Sequence, residues 1–194
     1  ASIYYQENPM GTAHAVLCAK ESLKGPVIVA FADTLFIADF KIDKNKDGII
    51  WTHSVKDPSQ FGVVKINEKG IITDFIEKPK DYVSNLAIIG IYYFNVGDNL
   101  KNELQYLIDN NISVKGEYQL TDALENMKNK GLSFYTESVH EWLDAGNKDA
   151  TVNTNARILS FKGSNISKKS NCLNSFTIEP CFIGDNVQIN SSVI

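Results

Sequence analysis

Residues 26–33 read PVIVAFAD. A proline opens the run, an aspartate closes it, and everything between is apolar. The run is too short for a core helix and shows no polar alternation. In a chain that alternates helix and strand patterns it reads as a buried strand of the kind found in parallel sheets. Upstream, Ala13, Val16, Leu17 and Leu23 fall near one face of a helix over Thr12–Leu23, ended by Gly25-Pro26. Downstream, GIIWTHSV (48–55) follows the polar turn DKNKDG and reads as a further strand. FGVVKIN, EKG and IITDFIEKP spell a hairpin whose loop ends at Gly70. LAIIGIYYF (86–94) is a second buried strand. Leu100, Leu104, Leu107 and Ile108 share a helical face, and a helix over Thr121–Lys130 has acids near its start and Gly131 past its end. LSFYTES reads as a short strand, VHEWLDAG follows it, and a polar helical stretch runs to about Leu159. The order is that of an α/β domain over 1–159.

From Ser160 the texture changes to Ser and Asn. Ile166, Cys172 and Ile178 recur six apart, and Ile183 and Ile189 repeat the interval after a one-residue slip, with Val187 and Val193 in step. Two apolar positions recurring in phase favour the opening coils of a hexapeptide-repeat parallel β-helix over 160–194 against a polar linker. A helix of so few coils leaves an open end, which calls for further chain or for a partner, a second copy of the chain included.

The 194 residues are 43% hydrophobic and 22% charged, with a formal net charge of −4, the profile of a soluble globular protein. No basic cluster offers a footprint for nucleic acid, and no apolar run is long enough to span a bilayer. Cys18, Cys172 and Cys181 are odd in number and have no metal-like spacing; they read as free thiols in a reducing cytoplasm.

Four places could carry chemistry. GTAHAV sets Gly11 and Thr12 at a helix start, where free N–H groups can meet an anion or the edge of a base; a plain Thr12 cap is the alternative. Asp33 stands at the carboxyl end of a strand, where α/β sheets gather ligands, and can hold Mg²⁺ or cap the next element. Glu77-Lys78-Pro79 can bind sugar hydroxyls and a phosphate, or be a solvated turn. Asp144, before Ala145-Gly146, is a turn residue or a second oxygen ligand for the cation at Asp33. No Ser-His or Cys-His pattern accompanies them.

Taken in order, Q-x-x-P-x-GTAHAV, a strand ending in Asp33, the FGVV hairpin, EKP, SNLAIIGIYYF, GEYQLTDAL and WLDAG resemble the sugar-1-phosphate nucleotidylyltransferases, a family of thymidylyl, uridylyl and guanylyl transferases. The resemblance runs from about Tyr4 to Ile194. It implies a mixed, mostly parallel Rossmann-like sheet with helices on both faces, followed by a left-handed β-helix. It also implies transfer of a nucleotidyl group from a nucleoside triphosphate to a sugar 1-phosphate. Carried over by position, Gln6, Pro9, Gly11 and Thr12 would bind the nucleotide, and Gly62, Glu77, Lys78 and Ile88 the sugar phosphate. Asp33 and Asp144 would hold Mg²⁺, and Asp33, Lys78 and Asp144 would be the catalytic set.

Two departures stand out. Ala32 replaces the glycine usual before the aspartate, one methyl that the site is expected to tolerate. The family's G-x-G-x-R phosphate loop is not found in these residues. The expectation is therefore a piece of a longer enzyme, inactive by itself. The alternative is a non-catalytic nucleotide-sugar binding or regulatory subunit of the same fold.

Overall fold

The apolar run Leu86–Phe94 forms the strand around which the first part of the molecule is arranged. The computed structural model describes residues 1–194. In chain order the elements are α1 (Thr12–Cys18), a 3₁₀ turn (Lys20–Ser22), β1 (Val27–Ala30), β2 (Thr34–Ile37), β3 (Gly48–Ser54), β4 (Gly62–Ile66), β5 (Ile72–Glu77) and β6 (Leu86–Phe94). There follow α2 (Gly97–Asp109), α3 (Leu120–Asn129), β7 (Phe134–Ser138), β8 (Glu141–Asp144), α4 (Lys148–Lys162), and the short strands β9 (Asn165–Ile166), β10 (Asn171–Leu173), β11 (Phe182–Ile183) and β12 (Gln188–Asn190). Contacts divide the chain into two units, 1–142 and 143–194. The division falls inside β8, ahead of the expected break after residue 159, so α4 groups with the residues that follow it.

The sheet of the first unit runs β5-β4-β6-β3-β7, with β1 also on β6. One edge of β6 is shared: Ala87 pairs with Val63 of β4, and Ile91–Phe94 pair with β1. The expected mostly parallel sheet is corrected here. Only β3 and β7 pair in parallel; β1/β6, β3/β6, β4/β5 and β4/β6 are antiparallel. The reason lies in the connections. A parallel neighbour needs a crossover of a dozen residues or more, usually a helix. Helices intervene between β6 and β7, whereas β3, β4, β5 and β6 follow one another through loops without one.

Every β6 residue after Leu86 is buried, so its apolar character is continuous, yet its two faces are distinct. Ile88, Tyr92 and Phe94 join Ile50, Val64 and Phe75 under α1, α2 and α3, which contribute Ala13, Leu17, Leu100, Leu104, Leu107, Leu120 and Leu124. Ile89, Ile91 and Tyr93 turn to the other face, with Ile49, Trp51 and Val139, beneath Phe36, Ala38, Ile42 and Trp142. Within this unit α1, α2 and α3 lie on one face, and the second face is covered by β2 and the loop after it. The run at 26–33 is also less buried than its composition suggests. β1 pairs with β6 alone, and Ile28 is 49% exposed.

In the second unit, Asn147 caps α4 by accepting the Ala150 N–H at 3.0 Å. The Ser/Asn-rich stretch then forms parallel pairings: Ile166 with Ile183, Cys172 with Ile189, and Phe176 with Val193. Each joins residues 17 apart, so one turn of chain lies on the next at three places. Cys181 and Ile183 are buried between them.

Candidate active site

The α1 start is held by α3, not by its own first residue. Gly11 precedes the helix at φ 98° and provides no side-chain cap. Thr12 is the first helical residue, and its hydroxyl accepts the Leu120 N–H, at the head of α3, at 3.0 Å. The plain-cap reading of Thr12 is thus corrected: it caps a different helix, 108 residues away in sequence. Around it Tyr118 donates its N–H to the Met10 carbonyl at 2.8 Å and accepts from Ala13 at 2.9 Å. A Cβ on Gly11 would stand 2.5 Å from the Tyr118 carbonyl oxygen, so the glycine is required by this close backbone approach. Gln6 donates its amide to the Gly11 carbonyl at 3.1 Å, and the same nitrogen lies 3.0 Å from His14 Nδ1. Gln6, Gly11, Thr12 and His14 form one group; Pro9, just after the bend at 7–8, is exposed.

A second group gathers where β4, β5, β6 and α3 meet. Gly62 and Glu77 are cross-strand partners. A Cβ on Gly62 would lie 3.0 Å from Glu77 Oε2, 3.0 Å from Thr121 Cγ2 and 3.5 Å from Ile88 Cδ1. Thr121, 5% exposed, donates its hydroxyl to Glu77 Oε2 at 3.0 Å. Glu77 is therefore no solvated turn residue. Burial pushes its carboxyl above the usual carboxylate range, the Thr121 hydroxyl and the Lys78 charge pull it back, and Asp122 and Glu117 push it further up. Burial also holds the Asp122 carboxyl up. The Lys78 ammonium is 4.0 Å from Glu77 Oε1 and largely exposed. Its backbone, at φ 40°, sits in the left-handed region just before Pro79, a strained conformation for a residue with a Cβ. The ladder bond from Lys78 N–H to the Phe61 carbonyl at 3.1 Å holds it there. Sequence reasoning named Gly62, Glu77, Lys78 and Ile88 and missed Thr121 and Asp122. These two lie inside the quoted GEYQLTDAL, but no local pattern tells which of its residues face a strand.

Asp33 lies in the turn between β1 and β2, so it caps no helix. The turn is fastened to β6: Phe31 N–H donates to the Gly90 carbonyl at 2.9 Å, and the Thr34 hydroxyl to the Ile89 carbonyl at 2.6 Å. The Asp33 side chain is exposed and makes no bond or ion pair within the protein. Asp144 ends β8; one of its oxygens accepts the Gly146 N–H at 3.0 Å, the turn geometry expected of an Asp before Ala-Gly. Asp33 belongs to the first unit and Asp144 to the second. Both keep carboxylate oxygens available, and hard oxygen donors are what Mg²⁺ takes, one or two carboxylates with the rest water and phosphate. No group of three or more His, Cys, Asp or Glu side chains converges anywhere in the structure to hold a metal.

Comparison with known proteins bears on this arrangement. The nucleotidyl transferase family matches residues 1–160. The chain belongs to that family. Relatives within it include the bifunctional protein GlmU of Methanococcus maripaludis, 32% identical over 167 residues that cover 84% of this chain and 39% of that protein. Another is the glucose-1-phosphate thymidylyltransferase of Streptomyces antibioticus, 30% identical over 164 residues, 79% of this chain and 44% of that one. The chain thus spans about two fifths of the length of the curated relatives it matches. Among solved structures, UDP-glucose pyrophosphorylase complexed with UDP-glucose is similar with a TM-score of 0.62 and 25% identity, over 80% of this chain and 64% of that one. The nucleoside-diphosphate-sugar pyrophosphorylase of Vibrio cholerae RC9 shares the fold, with a TM-score of 0.67 at 18% identity, over 77% of this chain and 66% of that one. In this nucleotidyl transferase domain the Gln6–Thr12 group and the Gly62–Glu77 group are joined through one segment, Tyr118–Thr121.

Proposed function

We propose that the protein carrying this chain joins a nucleoside triphosphate to a sugar 1-phosphate, giving a nucleotide-sugar and pyrophosphate. The observation that carries the proposal is the convergence of Gly62, Glu77 and Ile88 on one point beside Lys78, in a member of the nucleotidyl transferase family. In this reading Glu77 accepts hydrogen bonds from sugar hydroxyls, and Gly62 and Ile88 bound the space in which the ring lies. Lys78 meets the sugar phosphate and lowers the repulsion between two anionic reactants. Gln6, Pro9 and Gly11 lie against the base, and Thr12 fixes that segment to α3. A sugar-phosphate oxygen attacks the α-phosphorus in line; the bond from that phosphorus to the bridging oxygen breaks, and pyrophosphate leaves with the electron pair. Asp33 and Asp144 would hold Mg²⁺, which neutralises charge on the phosphates. No protein nucleophile is required, so positioning and electrostatics supply the rate. We infer further that the 17-residue coils open a left-handed β-helix. The three unpaired cysteines support a reducing compartment such as the cytoplasm.

The test is pyrophosphate release by the full-length protein over a panel of triphosphates and sugar 1-phosphates, with and without Mg²⁺. Turnover of at least one pair, abolished by chelation, is the expected result. No turnover of any pair, with nucleotide-sugar still bound, would replace the transferase by a binding subunit.

A further inference from the structure

We propose that Thr121 is a positioning residue of the sugar pocket, its hydroxyl fixing the plane of the Glu77 carboxylate so that the remaining oxygen faces the sugar. The proposal rests on Glu77 being the sugar acceptor. A carboxylate at the end of a Glu side chain rotates about a soft, two-fold torsion. Here one oxygen is tied: Thr121 Oγ1 donates to Oε2 at 3.0 Å. The other, Oε1, stands 4.0 Å from the Lys78 ammonium. Thr121, the second residue of α3, has no preceding helical turn to return its hydroxyl to, and it reaches 44 residues back in sequence to β5. Gly62 closes the third side, because a Cβ there would press on both Oε2 and Thr121 Cγ2 at 3.0 Å. The clamp is not free to drift. Its α3 turn is anchored one residue earlier by Thr12, which accepts the Leu120 N–H, and by the exchange of Tyr118 with Met10 and Ala13. The base side of the site therefore sets the orientation of the sugar-side acceptor.

The groups facing Glu77 give the clamp a measurable signature. They are Lys78 just past β5, Asp122 in the first turn of α3, Glu117 in the loop before that helix, and Tyr92 on β6, whose buried phenol is held protonated by burial and then by the Glu77 charge. Burial raises the Glu77 carboxyl, and the Thr121 hydroxyl is the largest opposing influence. Sugar hydroxyls donate to the ionised form, so sugar affinity rises as pH climbs through the Glu77 midpoint. Losing the Thr121 donor moves that rise to higher pH.

The experiment uses the full-length protein as wild type, Thr121→Val and Thr121→Ser. The Glu77 carboxyl is titrated by ¹³C NMR, assigned with Glu77→Gln, and glucose 1-phosphate binding is followed by calorimetry across pH. The expected result is a higher Glu77 midpoint and affinity weaker by about tenfold at neutral pH in the valine variant, both restored in the serine variant. An unchanged midpoint in Thr121→Val, or equal losses in the two variants, overturns the proposal. If wild type binds no sugar 1-phosphate while the midpoint shift is present, the sugar assignment of Glu77 fails and the Thr121–Glu77 clamp stands.

Discussion

Gly11 and Thr12 show how a residue pair can be singled out from sequence while the contacts it makes within the fold stay hidden. In sequence they mark a helix start open to a ligand. In the fold Gly11 lets two backbone segments touch, and Thr12 caps α3 from a distance. Gly11→Ala adds a Cβ 2.5 Å from a carbonyl oxygen at φ 98°, where nothing flexible can move aside. It is expected to cost about 3 kcal/mol of stability, read as a lower urea midpoint with an unchanged slope. A variant as stable as wild type would show that the segment 10–13 and Tyr118 can separate freely.

At the scale of elements, α3 does most to set the site, and its outer end shows what secures it. Glu103 of α2 is 3% exposed. One of its oxygens pairs with Lys130 Nζ at 2.5 Å, and the other is buried with no partner. Lys130→Met leaves that carboxylate uncompensated and should destabilise the protein by about 3 kcal/mol; adding Glu103→Leu should recover most of the loss, as measured by chemical denaturation. If the double variant is no better than the single one, the pair is not what joins α2 to α3. The same helix guards the sheet. Glu125 accepts the Phe75 N–H at 3.0 Å and Lys128 donates to the Thr73 carbonyl at 2.6 Å, so β5, an edge strand, has part of its backbone occupied by side chains rather than left as a template for another chain. Acids near its start and Gly131 just past its end located α3 to within one residue at each end. They did not reveal this guard, because Glu125 and Lys128 look like an ordinary helical ion pair.

For the whole molecule, the proposed Mg²⁺ dependence is tested one carboxylate at a time. Asp33→Asn and Asp144→Asn, each made in the full-length protein, should lower turnover by about 100-fold or more while leaving the urea midpoint unchanged. Near-normal turnover in either variant would remove that residue from the metal site.

The sequence by itself determined the alternation of elements and the family resemblance. These are legible because apolar periodicity and turn residues act locally, and because the landmarks Asp33, Glu77-Lys78 and Asp144 keep their order along the chain. It suggested parallel strands, since a continuous apolar run such as 86–94 records burial but not the direction of a neighbour. Tertiary structure alone decided that β6 takes mainly antiparallel partners, that β1 stays half exposed, and that Thr12 and Thr121 are tied to residues 108 and 44 positions away. A hydroxyl has no periodicity to betray its partner. Its role is fixed only when distant segments are brought within hydrogen-bonding reach.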